Sequence, residues 1–384
     1  MLLTATRIHN GKHWLPEGAV IDVAADGMIA GIHTAIEEGN IQHYDGIVCP
    51  GFVNVHCHLE LSHMKGAIPE HTGLIPFLKQ VAYTRNNYSE EQKQSARTDA
   101  FNDMVANGIV AVGDIANTLD TIALRELGKI HFHSFVEAIG FSETPLPQFE
   151  RTESVYRLFK EQPSLQKTLR QSIVPHAPYS VSQQLFSLID KFDRNALLSI
   201  HNQESKAEDE FYLTKHGPVR ELLQAVGIDD SFFKPSGKSS LQTYLHWLSG
   251  SHPTIFVHNT FTTRADIEVA QTLLRNVYWC LCPNANLYIE NTLPDIDMLR
   301  RECNTICIGT DSLSSNHQLS VLAELKTIKQ YYPDIEWEDL LRWATHNGAQ
   351  ALQMEDIIGS IEPGKIPGLL LIDPDKSNKV TILA

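Results

Sequence analysis

The stretch Pro50-Gly51-Phe52-Val53-Asn54-Val55-His56-Cys57-His58-Leu59-Glu60 sets two histidines one residue apart at the polar end of an apolar run. Successive side chains of a β-strand point to opposite faces, so His56 and His58 share a face and Cys57 takes the other. That is the geometry of two imidazoles on one metal ion. With 18 histidines in 384 residues a close pair also arises by chance. What gives this pair meaning is that polar residues recur at the ends of later apolar runs.

Seven further short apolar runs follow, at 109–115, 130–137, 172–176, 197–201, 254–258, 277–282 and 306–311. Between them lie segments such as 90–106, 152–159 and 182–192, whose polar and apolar residues mix at helical spacing. Eight strands alternating with helices predict an α/β fold, a (β/α)8 TIM barrel over residues 50–354 as the catalytic domain. Residues 1–49 and 355–384 read differently, as short alternating runs broken by Gly11, Gly18, Gly27, Gly31 and Gly46 and, near the C-terminus, by Gly359 and Gly364. They predict a small β-sandwich domain built from both termini. Three long segments after strand ends, 59–90, 202–252 and 283–304, are placed to build an active site.

Composition narrows the partners. A hydrophobic content of 42% suffices for a substantial core, and a net charge of -15, from 46 acidic against 31 basic residues, works against nucleic acid or an anionic membrane. A small-molecule substrate is expected instead. No apolar stretch approaches the roughly 20 residues of a membrane span, and the start Met1-Leu2-Leu3-Thr4-Ala5-Thr6-Arg7 lacks the apolar core of a signal peptide. A cytoplasmic location is expected. The six cysteines lie in or beside apolar runs and read as reduced core thiols rather than a disulfide framework. Nothing in the pattern signals an oligomeric state.

The strand ends carry the chemistry. The first run ends in His56 and His58, the fourth in His176, the fifth in His201, the sixth in His258 and the eighth in Asp311. In a barrel those C-terminal ends converge, and three imidazoles with a carboxylate suit a zinc or ferrous ion with water at an open position. Glu204, three residues past His201, is placed to carry a proton between that water and a substrate. Glu208 reads as supporting or solvent-facing. Glu60 and Glu137, also near strand ends, can meet substrate or orient a ligand histidine. His63 and His71 sit in the first long loop, and the remaining histidines read as structural or surface residues. The His-x-Glu with Pro-Cys-x-x-Cys signature of nucleic-acid-type zinc deaminases is absent, since Cys280-Leu281-Cys282-Pro283 has the wrong order and spacing. Glycine-rich phosphate loops are absent too.

With these residues placed, the sequence resembles the amidohydrolase superfamily, in its branch of adenosine, S-adenosylhomocysteine, aminofutalosine, guanine and cytosine deaminases and triazine chlorohydrolases. The matching pieces are the opening stretch, Pro175-His176-Ala177-Pro178-Tyr179-Ser180, His201-Asn202-Gln203-Glu204, Val257-His258-Asn259, Cys282-Pro283-Asn284-Ala285-Asn286-Leu287 and Gly309-Thr310-Asp311-Ser312. The resemblance implies His56, His58, His201 and Asp311 as metal ligands, His258 and Asp311 as the groups that activate water, Glu204 as the proton shuttle and His176 as a substrate contact. Pro175-His176 stands where two-metal members carry a bridging lysine, which implies one divalent metal, Zn2+ or Fe2+. The implied reaction is deamination of an aminated heterocycle, a 6-aminopurine nucleoside such as aminofutalosine or an adenosine derivative. Hydrolysis of another C–N or C–Cl bond is the alternative, and a non-catalytic relative using the fold as a binding scaffold is a third. His58-Leu59-Glu60-Leu61-Ser62, Gly73-Leu74-Ile75-Pro76-Phe77-Leu78 and Thr310-Asp311-Ser312-Leu313-Ser314-Ser315 resemble aminofutalosine deaminases. The tail Lys365-Ile366-Pro367-Gly368-Leu369 departs from the family's Lys-x-Ala-Asp-Leu. Aminofutalosine carries a carboxylate, for which Lys65, Lys79 and Arg85 are the candidate cations.

Overall fold

A computed structural model describes residues 1–34, 40–163 and 167–384. Strands β1 (Leu2–Ile8), β2 (Val20–Val23), β3 (Ile29–His33) and β4 (Ile41–Pro50) join β13 (Leu369–Ile372) and β14 (Val380–Ile382) in one six-stranded sheet, ordered β14-β13-β4-β1-β2-β3. Both termini therefore contribute, as the alternating runs predict. Leu3, Ile21, Ile29, Val48, Ile361 and Leu369 pack in a cluster of their own against this sheet.

The eight apolar runs are all strands: β5 (Phe52–Cys57), β6 (Ile109–Ala116), β7 (His131–Ala138), β8 (Leu169–Pro175), β9 (Leu198–Asn202), β10 (Thr254–His258), β11 (Val277–Leu281) and β12 (Ile306–Ile308). They pair in parallel as two four-stranded sheets, β5-β6-β7-β8 and β9-β10-β11-β12. The sheets meet at both edges. His201 N donates to His176 O at 3.0 Å on one side, and Thr310 N and Asp311 N both donate to His56 O at 3.0 Å on the other. Parallel pairing needs long crossovers, and helices such as Glu90–Ala106, Leu146–Lys160 and Gln183–Phe192 supply them. Residues of both sheets share one core, including Val53, Val55, Phe132, Phe135, Ile200, Phe256 and Trp279.

One strand ends three residues short of its apolar run. β12 stops at Ile308, because Gly309-Thr310-Asp311 turns off to bond His56 O, and Asp311 has φ 56°. Gly309 is required there, since a Cβ would lie 2.8 Å from His56 Cβ and 2.9 Å from Cys280 Sγ. The three long segments each contain helices. They contain Leu74–Thr84 in the first, Lys206–Thr214, Pro218–Ala225 and Ser240–Tyr244 in the second, and Pro283–Glu290 and Ile296–Glu302 in the third.

Candidate active site

The strand periodicity of two delivers His56 and His58 to one side, as the opening stretch requires. His58 Nε2 lies 3.2 Å from His56 Nε2 and 3.2 Å from His201 Nε2. Asp311 Oδ1 lies 3.5 Å from His56 Nε2 and 3.4 Å from His58 Nε2. Ligand atoms about 2.0–2.1 Å from a tetrahedral zinc ion are about 3.4 Å apart, so these separations are those of a metal's donor set. His258 joins from β10: single ligand atoms of His56, His201, His258 and Asp311 all lie within 4.8 Å of one another.

The tautomers agree with that reading. His201 Nδ1 donates to His176 O at 2.8 Å, which leaves the Nε2 lone pair facing its neighbours. Burial pulls His56, His58, His201 and His258 below the ordinary imidazole value, so each is neutral. Neutral imidazoles whose nitrogens converge in a dry interior need a cation between them. For Asp311 burial acts upward, while the Ser315 hydroxyl, 2.5 Å from Oδ2, donates to the carboxylate and favours its ionised form. The donor set therefore fits one divalent ion with nitrogen and oxygen ligands.

Glu204 follows a sharp turn. Gln203 has φ 45° and is held by Glu208, whose Oε1 accepts from Gln203 N at 3.0 Å and from the Ser240 hydroxyl. Glu208 is wholly buried, so of its two expected roles it takes the supporting one. Glu204 Oε1 then lies 3.7 Å from His258 Nε2. Burial first, then the charges of Asp311, Glu208 and Glu290, push the Glu204 carboxyl well above the carboxylate range. His258 and Asn259 also have positive φ, 74° and 57°, a conformation costing roughly 1–3 kcal/mol per residue that persists where surrounding bonds over-determine it. Here Asn259 N donates to Asn202 O at 3.1 Å and Asn259 Nδ2 to Cys280 O at 3.2 Å.

His176 borders the same cavity, of about 230 Å³, with Glu60, Glu137, Tyr179, Glu204 and Asp311 among its walls. Its Nδ1 is 2.5 Å from Ser180 Oγ. Glu60 and Glu137 are bridged by Asn117, whose N donates to Glu60 Oε2 and whose Nδ2 donates to Glu137 Oε2, both at 3.0 Å. Glu137 Oε1 lies 3.6 Å from His201 Nδ1. It has no hydrogen-bond partner among the described residues. Asn117, Tyr179 and Ser315 were not singled out from the sequence, because a lone polar residue after an apolar run carries no spacing signal. His63 takes a structural role, with Nε2 2.9 Å from Arg85 O, and His71 is exposed outside the cavity.

The three candidate cations separate. Arg85 lines the cavity but pairs with Glu60 at 3.3 Å. Lys65 is exposed and borders neither this cavity nor the one beside it. Lys79 lines the adjoining cleft.

Residues 47–384 match the family model described as "Amidohydrolase family". The chain is 28% identical over 329 residues to a Helicobacter pylori protein named adenosine deaminase, covering 84% of this chain and 77% of that one. The crystal structure of Helicobacter pylori aminofutalosine deaminase in complex with methylthio-coformycin superposes with a TM-score of 0.82 at 22% identity, covering 98% of this chain and 94% of that one. A zinc-bound adenosine deaminase from Xanthomonas campestris superposes with a TM-score of 0.73 at 21% identity, over 98% and 85% of the two chains. Both structures share the fold.

Proposed function

The chain belongs to the amidohydrolase family, and from that premise we propose that it is a metal-dependent deaminase of a 6-aminopurine nucleoside, aminofutalosine or an adenosine derivative. The observation that carries this reading is the convergence of His56, His58, His201 and Asp311 at 3.2–3.5 Å with Glu204 and His258 beside them. The eight parallel strands are read as a closed (β/α)8 barrel, because their two sheets are hydrogen-bonded at both edges. The small domain is read as residues 1–49 and 355–384 beside a catalytic domain of 50–354, and it is built on one six-stranded sheet where the sequence predicts a β-sandwich of two sheets. Gly51 between β4 and β5, and Ile361 packing with Leu3 and Ile21, support that division.

His56, His58, His201 and Asp311 are assigned as ligands of one divalent ion, Zn2+ or alternatively Fe2+. Such an ion would supply a water of lowered pKa. His258 and Asp311 would orient the attacking water and accept its proton. Glu204 protonates the ring nitrogen next to the amine-bearing carbon as the water oxygen bonds to that carbon. The exocyclic bond between that carbon and the amine nitrogen then breaks, and ammonia leaves with the protons these groups return. His176 is assigned a substrate contact. The buried surroundings of Glu204 raise its carboxyl above the carboxylate range, which favours the protonated form it needs to start as the acid.

A small molecule is the proposed partner, and the net charge of -15 supports the absence of nucleic acid or membrane partners. Among the described residues no helix is long and apolar enough to cross a membrane. A cytoplasmic location is supported by six free, buried cysteines.

Purified protein is expected to hold about one transition metal per chain, the content of a single four-ligand site. Asp311→Asn and His258→Asn are each expected to abolish turnover with the fold intact by circular dichroism. Near wild-type activity in either variant would sink the mechanism. Ammonia release from adenosine, S-adenosylhomocysteine, methylthioadenosine, aminofutalosine, guanine and cytosine decides the heterocycle, and no release from any of them removes the deaminase reading.

A further inference from the structure

The helix Val321–Tyr331 follows β12 and packs Val321, Leu322, Leu325 and Ile328 into the core. Glu324 lies among them with no exposed surface, and no step of the reaction uses it. A carboxylate taken out of water is costly unless hydrogen bonds replace the solvent. Here they do. Glu324 Oε2 accepts from Asn284 N at 2.9 Å, and Oε1 accepts from Asn284 Nδ2 at 2.9 Å and from Asn316 Nδ2 at 2.8 Å. All three partners are N–H donors, which suits the acceptor-only oxygens of a carboxylate.

Asn316 leads from this carboxylate to the candidate metal site. Its Nδ2 also donates to Thr310 O at 2.8 Å, so one amide group joins Glu324 to the residue before Asp311. The Thr310–Asp311 peptide is then bonded on both sides: its carbonyl accepts from Asn316, and its N–H donates to His56 O at 3.0 Å. Asn54 holds the rest of Thr310, with Oδ1 accepting from Thr310 N at 3.0 Å and Nδ2 donating to Thr310 Oγ1 at 2.8 Å.

Holding that peptide plane holds Asp311 at φ 56°, a left-handed value that a residue with a side chain adopts at a cost. The cost of such a conformation and the net worth of one hydrogen bond are similar in size. Loss of the Asn316 bond therefore lets the peptide turn and Asp311 relax. Oδ1 then leaves its place 3.5 Å from His56 Nε2 and 3.4 Å from His58 Nε2. A turned Asn316 amide would set its oxygen against Thr310 O and the Glu324 carboxylate, and the carboxylate repels that orientation. We propose that Glu324 and Asn316 are positioning residues for Asp311: Glu324 orients the Asn316 amide, and that amide locks the Thr310–Asp311 peptide. This inference rests on the assignment of Asp311 as a metal ligand and deepens it.

The test uses the full chain, stripped of metal and titrated with Zn2+ or Co2+ against a competing chelator. Asn316→Asp sets an acceptor against Thr310 O and is expected to weaken both ions by about 10- to 100-fold, the cost of losing an outer partner of a metal ligand. Glu324→Met, which frees the amide to turn, is expected to do the same, and Glu324→Gln, which keeps one acceptor oxygen, to recover part of the loss. The visible absorption bands of the Co2+ protein are expected to shift in Asn316→Asp and Glu324→Met, because the carboxylate is displaced. With Zn2+ saturating, ammonia release is expected to show kcat lowered by about 10- to 100-fold in Asn316→Asp with KM little changed. Thr327→Val removes only the bond from Thr327 Oγ1 to Asn284 Oδ1, 2.6 Å long, on the other side of the cluster. It is expected to lower the melting temperature and to keep wild-type metal affinity and Co2+ spectrum. Wild-type affinity and spectra in both Asn316→Asp and Glu324→Met overturn the proposal, as does an equal loss of affinity in Thr327→Val. If wild type releases ammonia from no nucleoside, the deaminase reading fails, and the affinities and spectra decide the proposal by the same comparisons.

Discussion

Glu208 lies four residues past Glu204, has no exposed surface and accepts from Gln203 N at 3.0 Å and from the Ser240 hydroxyl. Glu208→Ala leaves both donors unpaired in a dry interior, at about 1–3 kcal/mol each, and frees the strained turn at Gln203. The expected outcome is a lower melting temperature with a fall in kcat larger than any change in KM, because Glu204 is misaimed in the transition state rather than lost to binding. Glu208→Gln keeps one acceptor oxygen and is expected to recover much of the rate. Glu204→Gln is expected to lower kcat by about 100- to 10,000-fold, the range of general acid–base catalysis, with metal content unchanged by atomic absorption. At this scale the sequence was informative about residue type and not about surroundings. Glu204 could be placed beside the site from its spacing to His201, but whether Glu208 faced inward was decided when the helix Lys206–Thr214 packed Glu208, Phe211 and Tyr212 into the interior.

The eight strands were legible as elements because each is a short, bounded apolar run, and β10 occupies the same five residues in both readings, Thr254–His258. The helices within the long segments were not. In 59–90 the helix Leu74–Thr84 starts after Gly73, whose φ is 75°, with no side-chain cap of its own. Its first N–H finds a partner from the third long segment: Leu74 N donates to Glu290 Oε1 at 2.8 Å. Tyr288 OH donates to Ile68 O at 2.5 Å and His71 N to Tyr288 O at 2.6 Å beside it. The helix that carries Leu78, Lys79 and Ala82 is therefore held from Pro283–Glu290. Glu290→Ala removes a capping acceptor worth about 0.5–2 kcal/mol. It is expected to raise KM and to speed amide hydrogen exchange at Leu74, Ile75 and Phe77.

For the whole molecule, the proposed metal ligands are drawn from strand ends more than 250 residues apart in sequence, His56 to Asp311. Chelation leaves their lone pairs facing one another in a buried site, so the chelated protein is expected to melt lower and to recover when Zn2+ is returned. The gain is about 2.7 kcal/mol at a free metal concentration 100 times Kd. A separate pH effect comes from His133, buried on β7 with its pKa pulled down to about 3 by burial first, then by Arg170 and Arg125. Below the unfolded value of 6.5 the unfolded chain takes up a proton that the folded one refuses, so this residue costs stability as pH falls from 6.5 toward 3. The slope is about 1.4 kcal/mol per pH unit. The stability difference between wild type and His133→Asn, read from urea unfolding, is expected to move in favour of the variant by that slope. The family resemblance implies His56, His58, His201 and Asp311 as metal ligands; by itself the sequence determined the eight strands, the polar residues at their ends and the sharing of the small sheet between both termini. Those follow from period-two alternation and from which residue ends each apolar run, which are local. The tertiary structure decided the separations of 3.2–3.5 Å, the inward place of Glu208, and the cleft with Lys79 on its wall, while Arg85 is paired with Glu60. Each of these depends on which distant segments meet when two sheets join edge to edge, and no local pattern encodes that meeting.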